Sequence, residues 1–100
     1  MKEDLLKIIH TYGVLPQLKY FQSEVFELNE AIIRHEEILK SDFTYSNEIW
    51  SKQSITEEIA DIQVMLDQIQ HYYRIEDEEI WKIMRYKIDR QLERINNENK

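Results

Sequence analysis

Residues 18–32 decide the fold, and they read LKYFQSEVFELNEAI. The apolar residues at the centre of this stretch are spaced by three, four, three and four positions: Leu18, Phe21, Val25, Leu28 and Ile32. This spacing places them on one narrow stripe of an α-helix, which is typical of helices that pack in bundles. We expect the helix to start near Pro16, a residue suited to a first turn, and to run to about residue 39.

Three further helical segments are predicted around this one. A short amphipathic helix over residues 4–12 ends at Gly13, because glycine favours the position after a helix. Ser54 and Glu57 are predicted to form a capping box before a long third helix with apolar positions Ile55, Ile59, Ile62, Leu66, Ile69 and Tyr73. A fourth helix is predicted over residues 77–96. The sequence therefore predicts one domain, residues 1–100, with an all-α fold: an antiparallel helical bundle of about four helices.

Composition limits the class of protein. One glycine and one proline in 100 residues argue against a β-sandwich or barrel, and the lack of cysteine excludes disulfides and zinc–thiolate sites. The apolar runs are too short for a bilayer and the first residues do not form a signal peptide, so we expect a cytoplasmic protein without a membrane partner. A net charge of −7 argues against binding a nucleic acid polymer. Aromatic residues outside the stripes, such as Trp50 and Trp81, favour a homodimer or homotetramer.

Acidic residues three positions apart occur four times, about as often as chance allows at this composition. Their position relative to the apolar stripe is more informative. At about 100° per residue, Glu24 and Glu27 lie about 80° and 140° to one side of their stripe, and Glu58 and Asp61 lie at nearly the same offsets on theirs. In an antiparallel pair of helices these four carboxylates converge on one face. Their axial levels match only if helix resumes near residue 46, so we predict helix within residues 46–54.

A cluster of carboxylates needs a counter-charge, and oxygen ligands suit hard cations such as Mg²⁺ or Mn²⁺. Glu24, Glu27, Glu58 and Asp61 are therefore candidate metal ligands, with half-exposed, solvated acids as the alternative. The sequence argues against a ferritin-like di-iron oxidase because no Glu-x-x-His pair occurs: Lys7, Ile32 and Gln68 stand three residues before the three histidines.

The combination of Glu24-x-x-Glu27 and Glu58-x-x-Asp61 on neighbouring helices resembles the MazG-like all-α nucleoside triphosphate pyrophosphohydrolases, which share a fold with the all-α dUTP and dCTP pyrophosphatases. The similarity covers roughly residues 15–95. It implies magnesium at the four acids. It also implies substrate binding by Gln17 and by Lys87-x-x-Arg90 in the last helix.

The resemblance implies a Mg²⁺-dependent hydrolase (Mn²⁺ is a second candidate metal) that converts a nucleoside triphosphate, a deoxynucleotide or a non-standard one, to the monophosphate and pyrophosphate. Glu27 is the candidate that takes a proton from water. Lys87 and Arg90 are candidates for holding pyrophosphate, with salt bridges to a neighbouring helix as the alternative, and Gln17 could equally be a surface glutamine. Ser23 and Arg85 depart from the family's pattern. They motivate one alternative, a degenerate, non-catalytic nucleotide-binding protein. A second alternative is a structural helical oligomer whose acidic clusters serve solubility.

Overall fold

The computed structural model describes residues 1–41 and 45–99, and its regular structure consists of four α-helices. They are α1 (Lys2–Tyr12), α2 (Val14–Ser41), α3 (Tyr45–Tyr72) and α4 (Asp77–Glu98). The all-α prediction is confirmed. None of these helices combines the length and the apolar character needed to cross a membrane.

The break between α1 and α2 is made by Gly13. Its φ of 90° lies in the left-handed region that favours glycine. Its N–H donates to the carbonyl of Ile9 at 2.8 Å, while its own carbonyl accepts from the N–H of Gln17 at 3.3 Å. One residue therefore ends one helix and begins the next, and Pro16 occupies the first turn of α2 as predicted.

The start of α3 differs from the predicted start. Because α3 begins at Tyr45, Ser54 and Glu57 lie inside the helix, and the predicted capping box at these two residues is wrong. The Ser54 hydroxyl instead donates to the carbonyl of Trp50 at 3.4 Å. The predicted helix within residues 46–54 is confirmed, whereas residues 42–44 of the predicted polar break lie outside the described residues.

The turn between α3 and α4 closes with its own backbone bonds. Arg74 has a φ of 58°, and the N–H of Ile75 donates to the carbonyl of Gln70 at 3.0 Å, as in a Schellman motif. A capping box then starts α4. The Glu76 side chain accepts from the backbone of Glu79, whose carboxylate accepts from the Glu76 N–H at 2.9 Å.

Three helices pack together and the fourth stands apart. α2 and α3 form an antiparallel hairpin, since the start of α2 meets the end of α3, and α1 packs mainly on α3. No Cα atom of α4 lies within 8 Å of a Cα atom in another helix. The described residues form the four helices that the sequence predicts. Within one chain α1, α2 and α3 pack as a unit, and α4 projects from it.

The side chains between α2 and α3 are unexpectedly polar, and we call this contact line the seam. The residues of α2 that are buried or half-buried recur with heptad spacing: Val14, Gln17, Phe21, Glu24, Leu28, Ala31, His35 and Ile38. On α3 the most buried are Ser51, Met65 and Gln68. The predicted apolar stripe is therefore displaced by one residue at three positions. The predicted Leu18, Val25 and Ile32 are exposed, and the residue before each of them lies in the seam.

Candidate metal centre

Three carboxylates meet across the middle of the seam. Glu24 is supplied by α2, and Glu58 and Asp61, one turn apart, by α3. One carboxylate oxygen from each lies within 4.8 Å of the other two. The exposure of the three carboxylates to solvent increases across the cluster: Glu24 is buried, Glu58 is half-buried and Asp61 is exposed. One side of the cluster therefore stays open to a ligand from solvent.

The antiparallel register brings these acids to one level. Gln17 pairs with Gln68 on one side of the cluster and His35 with Ser51 on the other, at 2.6 Å. Glu24, seven residues after Gln17, therefore faces the part of α3 that is seven to ten residues before Gln68. This register requires α3 to be helical from Tyr45 onward, as the prediction for residues 46–54 assumed.

The electrostatics of the cluster show that it lacks positive charge. Burial, followed by hydrogen bonding to Glu58 and Asp61, raises the pKa of Glu24 from 4.5 to about 7, while the hydroxyl of Tyr20 opposes this by hydrogen bonding to the carboxylate. The same contact with Glu24 raises the pKa of Tyr20. Acids in such a site must bind either protons or a cation.

One atom in the cluster has no partner. The Oε2 atom of Glu58 is buried and accepts no hydrogen bond from the described part of the chain. A buried carboxylate oxygen without a donor is costly. The donor set is oxygen only, which suits a hard cation such as Mg²⁺ or Mn²⁺. The residues present therefore fit the predicted metal.

Glu27 does not join the three close carboxylates. It lies on α2 one turn after Glu24, and its side chain is exposed. Three residues along a helix rotate a side chain by about 60°, and here that rotation carries Glu27 away from the seam toward solvent. Its predicted roles as a metal ligand and as the group that accepts a proton remain predictions.

Gln17 lies beside the cluster, and the two basic residues do not. The amide of Gln17 borders a cavity that Asp61 also lines. Lys87 and Arg90 are on α4, where both are exposed and where the Arg90 guanidinium lies 5.6 Å from the ring centre of Tyr86. The start of α4 is tied to the end of α3 by a hydrogen bond from the Gln70 amide to Asp77. No Cα atom of α4 lies within 8 Å of a Cα atom of α2 or α3, so the structure does not bring Lys87 and Arg90 to the acids within one chain.

Two residues near the cluster were not predicted to belong to the site. Tyr20 was one of several aromatic residues without a distinguishing position, yet its hydroxyl contacts Glu24. Gln68 is 2% exposed and was not singled out at all. Its signal was available: it follows Asp61 by seven residues, on the line of α3 that faces the seam.

Comparisons with known proteins leave the family open, since no protein-family model, no curated protein and no solved structure matches this chain. The resemblance to MazG-like enzymes therefore stays a prediction from the sequence.

Proposed function

We propose that this protein is a Mg²⁺-dependent nucleoside triphosphate pyrophosphohydrolase. The observation that carries the proposal is the meeting of Glu24, Glu58 and Asp61, with a buried Glu58 oxygen that lacks a donor. Carboxylates grouped on two helices of a hairpin are also what the resemblance to MazG-like enzymes implies. Mn²⁺ offers the same charge and oxygen preference and would serve in place of Mg²⁺.

The proposed reaction splits the bond between the α-phosphorus and the oxygen that leads to the β-phosphate. Water adds to the α-phosphorus, pyrophosphate leaves, and the monophosphate keeps the oxygen of the water. A bound divalent cation would neutralise phosphate charge and lower the pKa of a water molecule. The chain's own contribution is to hold the cation through Glu24, Glu58 and Asp61 on the half-open side of the seam.

Glu27 is our proposal for the residue that takes the proton from water. It is exposed and lies one turn from Glu24, and in this proposal its carboxylate accepts a proton from water at the open side of the cluster without serving as a ligand. Lys87 and Arg90 would hold the leaving pyrophosphate. That role requires α4, from this chain or from another copy, to approach the hairpin.

We propose that the protein assembles as a homodimer or homotetramer, because its chain leaves too much surface uncovered. The radius of gyration is 17.7 Å, against about 13 Å for a compact chain of this length. The accessible surface is 8375 Å², against about 6,100 Å² for a compact monomer of this mass. The difference exceeds the roughly 800 Å² that each partner contributes to a standard interface.

The uncovered surface has a definite place. Five exposed apolar side chains follow seam positions by one residue on both helices of the hairpin: Leu18, Val25, Ile32, Ile59 and Leu66. In an antiparallel pair of helices, residues that follow the seam positions by one on each helix lie on the same face of the pair. We call this surface of the hairpin the apolar face. α4 also exposes large apolar side chains: Trp81, Ile83, Met84, Ile88, Leu92 and Ile95. A second copy of the chain would cover both surfaces.

The position of α4 favours one alternative, a nucleotide-binding protein that does not hydrolyse its ligand. With Lys87 and Arg90 remote from the acids, a chain whose α4 never reaches a hairpin would bind a metal–nucleotide complex without stabilising the leaving group. Binding without turnover would identify this alternative.

Product analysis tests the proposed function. The protein is incubated with ribo- and deoxynucleoside triphosphates and Mg²⁺ or Mn²⁺, and the products are separated by chromatography. We expect monophosphate and pyrophosphate, with no diphosphate. Asp61→Asn should abolish turnover, while Glu57→Gln, an exposed acid on the same helix, should not change it. Diphosphate with orthophosphate, or full activity in Asp61→Asn, would refute the proposal.

A further inference from the structure

A cavity of about 440 Å³ lies next to the carboxylate cluster, between α1 and the hairpin. Its volume is within the range of small-molecule sites, about 300–1,000 Å³. Its lining is mainly apolar and aromatic, with two amides: Ile8, Tyr12, Gln17, Tyr20, Asp61, Val64, Met65 and Gln68. The cavity is continuous with the cluster, since Asp61 belongs to both and Tyr20 contacts Glu24.

An amide pair forms one wall of this cavity. The Gln17 Nε2 atom donates to the Gln68 Oε1 atom at 2.8 Å, and Gln68 is 2% exposed. Both Nε2 atoms also face the sulfur of Met65, at 3.9 Å and 3.8 Å, which is a weak acceptor. Buried amides in a helix contact cost stability compared with apolar side chains, so this pair calls for an explanation in terms of helix alignment, ligand binding or both.

The pairing fixes which atom of Gln17 is left for a ligand. Because its Nε2 atom donates to Gln68, the Gln17 amide turns over only if Gln68 turns with it, and the Nε2 atom of Gln68 is directed to the Met65 sulfur instead, at 3.8 Å. Its Oε1 atom has no hydrogen-bond partner among residues 1–41 and 45–99. Gln17 is half-buried whereas Gln68 is almost fully buried. Gln17 therefore presents an acceptor to the cavity, and Gln68 sets its orientation from behind.

We propose that this cavity binds the base of the nucleotide, an inference that rests on the proposed function, and that it prefers a base with an exocyclic amino group. The base lies against the tyrosine rings, and its amino group donates to the Gln17 Oε1 atom. Gln68 is a positioning residue, since it acts through Gln17. An oxo group in place of the amino group brings two acceptors together, so cytosine is favoured over uracil and adenine over hypoxanthine.

The size of the preference follows from one hydrogen bond gained or lost. A net difference of about 1.4 kcal/mol corresponds to tenfold in affinity, so we expect cytidine to bind about tenfold more tightly than uridine. Aromatic and apolar walls contribute to both ligands alike. The ratio of the two affinities therefore isolates the amide contact from general stacking.

Nucleoside binding without metal tests this proposal independently of hydrolysis. Cytidine and uridine are titrated into the ¹⁵N-labelled protein, and the side-chain amide signals of Gln17 and Gln68 are followed by NMR. We expect both signals to shift, with tighter binding of cytidine. Discrimination between the nucleosides in a protein that hydrolyses no triphosphate would refute the proposed enzyme and uphold the base site. Hydrolysis of triphosphates without any preference among bases would refute the base site and uphold the proposed enzyme.

Variants separate the two glutamines. Gln17→Leu removes the acceptor, and Gln68→Leu frees the Gln17 amide to turn, so each should reduce the cytidine-to-uridine ratio to about one. Gln68→Glu keeps an acceptor for the Gln17 Nε2 atom and should restore the preference, which a merely structural role of Gln68 does not predict. Gln22→Leu, on the exposed surface of α2, is the matched control. An unchanged ratio in Gln17→Leu would overturn the assignment.

Discussion

Glu24 makes the stability of the metal-free protein depend on pH in an unusual direction. Its pKa rises from 4.5 to about 7 on folding, because burial and the neighbouring Glu58 and Asp61 disfavour the charged form. A group whose pKa is raised on folding stabilises the fold below its unfolded pKa, and this contribution is lost as pH rises through the folded pKa. We therefore expect stability to fall between about pH 4.5 and pH 7 and to change little above that range.

The magnitude follows from the size of the shift. A rise from 4.5 to about 7 corresponds to about 3 kcal/mol at 1.36 kcal/mol per unit. Solvent at the open side of the cluster, beside the exposed Asp61, screens part of this interaction, which leaves about 1–2 kcal/mol. Glu24→Gln removes the charge and keeps the side-chain shape. The variant should therefore be about 1–2 kcal/mol more stable than the wild type at pH 8 and nearly equal to it at pH 5.

Urea unfolding at pH 5, 6, 7 and 8, in chelator and at one protein concentration, measures this effect. A fixed concentration matters because the stability of an oligomer depends on it. The difference between wild type and Glu24→Gln is the informative quantity, since other titrating groups contribute to both proteins. Glu30→Gln, an exposed acid of the same helix, is the control and should give no pH-dependent difference.

Two results would refute the reasoning. A difference between wild type and Glu24→Gln that is constant from pH 5 to pH 8 would mean that the Glu24 carboxylate is not shifted on folding. Destabilisation of Glu24→Gln at pH 8 would mean that the charged carboxylate has a favourable partner in the metal-free protein. Either outcome would remove the electrostatic argument for a cation at the cluster.

Three further changes test other parts of the structure. Millimolar Mg²⁺ or Mn²⁺ at pH 8 should raise the melting temperature of the wild type by several degrees and that of Asp61→Asn by much less, as ligand linkage requires; equal shifts would contradict a site at Asp61. Arg74→Gly should stabilise the protein by about 1 kcal/mol in thermal unfolding, because φ at this position is 58°, and no gain would show that Arg74 has compensating contacts. Val25→Lys places a charge on the exposed apolar face and should lower the molar mass found by light scattering to that of a smaller species, whereas an unchanged mass would exclude this face from the interface.

The helices could be predicted because their signals are local. Gly13 and the spacing of apolar residues placed the first two helices closely, and the acidic residues before Trp81 marked the start of α4. The start of α3 was harder, because residues 45–54 carry few apolar side chains. That segment is helical because the antiparallel pairing with α2 requires it, and such long-range packing leaves little trace in local sequence.

The seam shows why the interior was predicted less well than the helices. An apolar stripe predicts that one surface of a helix is buried, but it does not identify the helix or the second copy of the chain that covers that surface. Here Leu18 and Val25 are exposed in one chain, while Glu24 and Gln17 line the contact with α3. The offset of about 80° assigned to Glu24 had the right sense, and the three carboxylates do meet. Lys87 and Arg90 could not be placed from sequence, since the direction of α4 depends on what it packs against.

The polar seam also fixes how α2 and α3 slide along each other. An all-leucine contact with heptad spacing would accept a shift of one heptad at small cost, since every seam position would meet an equivalent neighbour. In this hairpin Gln17 must meet Gln68 and His35 must meet Ser51, and a shifted pairing would leave these groups buried without partners. The polar side chains of the seam thus determine the alignment of α2 with α3. Apolar replacements at these positions would allow several alignments of similar energy in place of one.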